Sequence, residues 1–269
     1  MMKTARRSTV WADRSRAPWR TAAFAACLGA VFSVVLFAPA AWLARAIDVA
    51  SDGRVVLADA QGSVWRGSAQ LLLTGGQGSA DAASLPGRVD WTLRPTWNGA
   101  RMVLNMPCCA TQAVQLAFKP GWSQSVLALE PATVNLPAPW LSGLGAPWNT
   151  LDPQGQLSLN TQALQVMRSE GRMRMQGQFT LDLLGMSSRL STLSPLGDYR
   201  LTVSGGDVPT LALQTLQGVL QLSGSGQIVG SRIRFSGEAA ASPEQQDALS
   251  NVLNIIGRRQ GAKSLISLG

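Results

Sequence analysis

The chain has 269 residues, 46% of them hydrophobic, which supplies enough apolar surface for a core and excludes a disordered chain. Only 14% are charged and histidine is absent, so Ser-His-Asp and Cys-His nucleophilic systems and the common zinc ligand sets are excluded. The net charge of +8 sits mainly in residues 1–20, which carry six basic residues against Asp13 alone; the remainder has 17 basic and 14 acidic residues, so nucleic-acid binding is not expected.

From Thr21 to Ala44, 24 residues pass without a charge, and at about 1.5 Å per residue a helix of that length spans a hydrocarbon core of roughly 30 Å. Trp19 and Trp42 bracket this run at depths where amphipathic rings favour the interface, and Arg20 joins the other cations on its N-terminal side. The expectation is a transmembrane helix over 21–44, anchored by Trp19, Trp42 and Arg20, with residues 1–20 as a basic cytoplasmic tail. A cleavable leader is the rival reading, because Ala38-Pro39-Ala40 and Ala44-Arg45-Ala46 supply small residues. The run exceeds the about 7–15 residues of a leader's apolar region, and proline suits a cleavage site poorly, so an uncleaved anchor is expected. Either way, everything after Arg45 lies across the membrane.

From Arg54 onward apolar residues recur with period two, as in Met173 and Met175 against Arg172 and Arg174, or Ile233 and Phe235 against Arg232 and Arg234. This pattern predicts an all-β domain with a curved, meander-like antiparallel sheet, one face packed and one wet. Gln-Gly pairs at 61–62, 154–155, 176–177 and 217–218 predict turns or bulges at strand starts. Five prolines between 131 and 153 mark a seam, residues 131–150, that divides the domain into halves 47–130 and 151–269. Within it, Trp140, Leu141 and Leu144 predict a short helical turn plugging the core. A single soluble helix is predicted over 243–256. Ser242 is placed at its N-cap, with Pro243 at the first position and Gln245 completing a capping box. Ala248, Leu249, Val252, Leu253 and Ile256 form its apolar stripe, expected to cover the sheet, and Gly257 followed by Arg258 and Arg259 predicts a left-handed C-cap with cations at the helix end.

Little in the chain points to catalysis. Cys27 lies inside the apolar run, while Cys108 and Cys109 are adjacent; a mutual bridge would close an eight-membered ring, and free thiols or an intermolecular bridge are equally open. Neither Lys119 nor Lys263 has a serine three residues before it. The acids are solitary, so that a glycosidase pair would have to come from distant positions such as Asp90 and Asp182. Gly75-Gly76-Gln77-Gly78 reads as a hairpin tip, since no lysine follows it. No catalytic residue, metal, cofactor or small-molecule substrate is expected. Of the six tryptophans after the anchor, Trp65 and Trp91 fall in alternating runs and are expected in the core. Trp97, Trp122 and Trp148 adjoin turns and are the candidate partner-binding residues.

Four blocks carry a resemblance. They are Ala60-Gln61-Gly62-Ser63-Val64-Trp65-Arg66-Gly67 with Gly87-Arg88-Val89-Asp90-Trp91-Thr92-Leu93-Arg94-Pro95; Leu144-Gly145-Ala146-Pro147-Trp148-Asn149-Thr150-Leu151; Leu193-Ser194-Pro195-Leu196-Gly197-Asp198-Tyr199-Arg200; and Arg232-Ile233-Arg234-Phe235-Ser236-Gly237 with the segment Asn251 to Arg259. In this order, after one anchor, they resemble protein N of type II secretion systems. The resemblance implies a non-enzymatic accessory component of the inner membrane of a Gram-negative cell, single-pass, with a cytoplasmic N-terminus and a periplasmic bulk. Its partners would be other inner-membrane secretion components, and its role the export of folded proteins from the periplasm across the outer membrane. An alternative is a lipid-binding or lipid-transfer protein, because a curved antiparallel sheet with an apolar concave face also resembles periplasmic proteins of the AsmA type.

Overall fold

The computed structural model describes residues 19–169, 172–230 and 232–269, so the expected cytoplasmic tail lies outside the described residues except at its end, as does the side chain of Arg20. The chain forms two compact units, Met1–Ala38 and Pro39–Gly269. In the first, α1 (Trp19–Leu36) exposes Trp19, Phe24 and Phe32. Among the described residues no helix is long and apolar enough to cross a membrane.

The single helix expected over 21–44 is in fact two. Pro39 has no N–H to continue the ladder and disfavours helical geometry at Ala38, so α1 stops at Leu36 and α2 (Ala40–Ala50) starts afresh after Pro39 at φ −67° and ψ 148°. The start of α2 belongs to the sheet-bearing unit: Ala40 is buried with Ala69 and Trp91, and Leu43 packs beside them. Trp42, expected to end the membrane run, stands on α2 and is 56% exposed.

The second unit is a 16-stranded antiparallel sheet. Its strands are β1 (Val55–Gly62), β2 (Arg66–Thr74), β3 (Ala82–Ser84), β4 (Val89–Thr96), β5 (Gly99–Asn105), β6 (Val114–Lys119), β7 (Gln124–Leu129), β8 (Ala132–Pro137), β9 (Pro153–Ser169), β10 (Arg172–Ser188), β11 (Gly197–Gly206), β12 (Thr210–Gly218), β13 (Leu220–Val229), β14 (Arg232–Ala241), β15 (Arg258–Gln260) and β16 (Lys263–Leu268). From β4 to β14 each strand pairs with its neighbour in sequence, with one exception: the 17-residue β9 takes β7 along Leu164–Ser169 and β8 along Gln156–Thr161. The proline-rich seam therefore holds a strand, β8, besides the 3-10 helix Ala138–Leu144 and the short α3 (Trp148–Leu151). Its proline is tolerated because Pro137 closes the strand. Both halves of the domain share this one sheet.

All four Gln-Gly pairs have their glycine at positive φ: Gly155 is a bulge at the start of β9, as expected, whereas Gly177 is a bulge further inside β10 and Gly62 and Gly218 close their strands. Bulges bend a sheet, and an open sheet rarely exceeds about 10 strands without curling.

One face of the sheet is mainly apolar. The helical elements pack on it: α2 over Ala69 and Trp91; Trp140 of the 3-10 helix against Leu85, Val89 and Val134; and α4 (Gln246–Ile256) over a cluster that includes Leu157, Met186, Tyr199 and Leu220. The ends of α4 differ from expectation. Pro243–Gln245 forms a 3-10 turn in which the Ser242 hydroxyl reaches the Gln245 side chain at 3.0 Å, with no capping hydrogen bond to the backbone. Gly257 is extended, at φ −165°, because the chain passes straight into β15, where a Cβ would strike the Leu265 carbonyl; Arg258 and Arg259 are strand residues.

Tyr199 is 3% exposed in the α4 cluster and its hydroxyl has no partner; burial, then the nearby Asp198 charge, pushes its pKa well above the ordinary phenol value. Tyr199→Phe removes an unsatisfied buried group while keeping the ring. It should leave stability unchanged or raise it by about 1 kcal/mol, measured as the denaturation midpoint of the detergent-solubilised chain.

Candidate functional site

The chemistry of the chain is dispersed. Among the described residues no three metal-binding side chains cluster. Asp90 on β4 and Asp182 on β10 are separated by β5, β6, β7 and β9, roughly 24 Å along the sheet at about 4.8 Å per strand, where a glycosidase pair needs about 5–9.5 Å. Asp182 is engaged elsewhere, in a two-pronged pair with Arg200 opposite it on β11 at 2.6 and 2.9 Å. Gly75 to Gly78 links β2 to β3. Cys108 and Cys109 are bonded to each other in the β5–β6 turn, where the Cys109 carbonyl accepts the Asn135 N–H of β8 at 2.6 Å.

Strand direction sorts the tryptophans. Because neighbours run antiparallel, the turns β4–β5, β6–β7, β9–β10, β11–β12 and β13–β14 and the chain's last residue, beyond β16, all fall at one end of the sheet, here termed the rim. Trp97 and Trp122 occupy the first two of these turns and are fully exposed, at 105% and 110%. Trp148 opens α3 at the opposite end and is 36% exposed, so the three candidates do not form one surface. Of the two tryptophans expected in the core, Trp91 is 3% exposed with its Nε1 donating to the Val64 carbonyl at 3.1 Å, whereas Trp65 is only half-buried.

The rim has two unlike sides. Where no helix covers it, the apolar face ends in Phe118, Leu127, Met173, Ile233 and Leu268, between 41% and 60% exposed, with exposed Arg168 opposite Met173 among them. The opposite face carries Arg94, Arg101, Lys119, Arg174, Arg232 and Arg234, all exposed, together with exposed Val229 opposite Arg232. Arg94 faces Arg101 directly across β4–β5, and neither forms an ion pair with a described residue. The one described acidic side chain at the rim, Asp207, pairs with Arg174 at 3.2 Å. An open depression of about 610 Å³ crosses β12–β14 here, lined in part by Leu211, Phe235, Leu268 and Arg234. Sequence reasoning missed this cationic side. The signal was the run of arginines alternating with Met173 or Ile233, but only the registers bring these separate strand ends together.

A family model described as type II secretion system (T2SS), protein N matches residues 53–265. No curated protein and no solved structure matches the chain.

Proposed function

Since the chain belongs to the type II secretion system protein N family, we propose that it is an accessory inner-membrane component of the secretion machine, a non-catalytic scaffold supporting export of folded proteins from the periplasm across the outer membrane. The observation that carries this reading is the extent of the match, which takes in nearly all of the sheet-bearing unit. The charge-free run beginning at Thr21 serves as a single anchor, the basic tail stays in the cytoplasm and the sheet lies in the periplasm. The contacts with other inner-membrane components are made by the end strand β1, which has a strand neighbour on one side only, and by Trp148 at the end of the sheet away from the rim. At the other end of the sheet order, β15 has three residues, two of them arginine, and is a poor template for strand addition.

Lipid transfer along the apolar face is the second reading. The open stretch at the rim favours it, whereas the cover of α2, the 3-10 helix and α4 over the rest supports a packed scaffold. A photoreactive residue at Val56 or Trp148 in cells should crosslink to a secretion-system protein, and deletion of the chain should leave exported hydrolases in the periplasm. Crosslinks that yield no secretion component, together with normal secretion in the deletion strain, would defeat the scaffold role.

A further inference from the structure

We propose that the rim rests on the surface of an anionic phospholipid bilayer, with Trp97 and Trp122 in the headgroup layer and the arginines of the wet face on lipid phosphates. Both indoles stand free in turns built from Asn98 and Gly99, and from Pro120 and Gly121. A ring with an apolar body and one N–H donor fits the membrane interface better than water. Behind the tips the rim is amphipathic in the sense that holds a surface-bound helix at a bilayer, with mainly apolar residues on one side and mainly cations on the other, Arg168 and Val229 being the exceptions. The Arg94–Arg101 pair is a specific sign of a missing anion. Like charges directly opposite each other in a sheet repel, and a phosphate between the two guanidiniums turns that repulsion into binding.

Geometry favours a membrane over an acidic protein. The tips from β4 to β16 extend about 48 Å along the sheet at about 4.8 Å per strand, and the apolar and basic side chains are spread over several turns rather than gathered round one pocket, as a protein hot spot would be. The connectivity agrees. The sheet-bearing unit begins at Pro39, which bridges to Ser63 in the β1–β2 turn; because Arg66 of β2 pairs with Thr92 of β4, that turn lies towards the rim end. The first residue of the sheet-bearing unit therefore lies towards the end that carries the tryptophans. This inference does not require the secretion role.

The test uses the full-length chain in nanodiscs of phosphatidylglycerol containing brominated acyl chains, with tryptophan fluorescence as the readout. The anchor is present in every variant, so the difference between wild type and Trp97→Phe/Trp122→Phe reports the rim alone; both positions are fully exposed, and circular dichroism checks the fold. Wild type should lose about two-fold more of its emission to the bromines than the double variant. That difference should shrink in phosphatidylcholine discs, in Arg94→Glu/Arg101→Glu, and at high salt, where the Debye length falls to about 3 Å at 1 M. Equal quenching of wild type and double variant in phosphatidylglycerol overturns the proposal. So does a difference that appears only after an acidic secretion protein is added, which would assign the rim to a protein partner.

Discussion

Leu253→Ala should cost the fold about 3 kcal/mol and Leu249→Ala a similar amount, inside the roughly 2–5 kcal/mol range for emptying a fully enclosed leucine site. Both side chains are 0% exposed and sit, with Val252 at 1%, where α4 lies on Leu157, Met186, Leu196 and Leu220. The cost is high because the cluster draws on both the sheet and the helix, so neither side can close the void without moving a strand. Asn254→Ala, exposed on the far side of the same helix, should change stability by less than about 0.5 kcal/mol. Denaturation of the detergent-solubilised chain measures all three. If Leu253→Ala matched Asn254→Ala, α4 would not be seated on the sheet, and its apolar stripe would be free for a partner.

That stripe was legible in the sequence because it is local. Apolar residues at helical spacing declare both a helix and its buried side, and Leu249, Val252 and Leu253 are the residues that are buried. The antiparallel, meander-like sheet was legible for the same reason, from alternation within single strands. What was not legible depends on non-local geometry. Gly257 followed by two arginines has the composition of a helix cap, yet β16 alongside forces the backbone straight. The proline-rich seam hid β8, since β9 offers an edge that local breakers do not reveal. The apolar run looked continuous because hydropathy counts side chains, whereas Pro39 breaks the backbone ladder.

The candidate surface divides in the same way. Exposure of Trp97 and Trp122 followed from their turn residues, a local property. Their shared end of the sheet, their distance from Trp148 and the cations beside them come from strand direction and register. A single sequence fixes the period of a strand far better than its partner. This is also why Arg232 and Arg234 read as the wet side of one strand rather than part of a cationic surface assembled from several.

Gly67→Val is expected to destabilise the chain by about 3 kcal/mol, at the upper end of what overpacking a well-filled site costs. A Cβ at Gly67 would lie 2.5 Å from Trp91 Cζ2 and 2.5 Å from the Gln61 carbonyl. The indole cannot retreat easily: it is 3% exposed, packed with Ala40 and Ala69, and held through Nε1 by the Val64 carbonyl. The turn that presents Val64 is itself anchored, since Leu93 N–H donates to the Trp65 carbonyl at 2.7 Å. Arg88 reinforces the arrangement by reaching the Asp59 carboxylate and carbonyl at 2.7 Å each, and its guanidinium, with Gln61, holds the Asp59 carboxyl below its ordinary pKa. The two parts of the first family-like block, 60–67 and 87–95, are thus one contact in space, with glycine at the point where the ring crosses the strand. Gly67→Ala should fall between wild type and Gly67→Val. Combining Gly67→Val with Trp91→Leu should recover part of the loss, so a double-mutant cycle reports a coupling of about 1–2 kcal/mol. Additive losses would mean that the ring is not what requires glycine at this position.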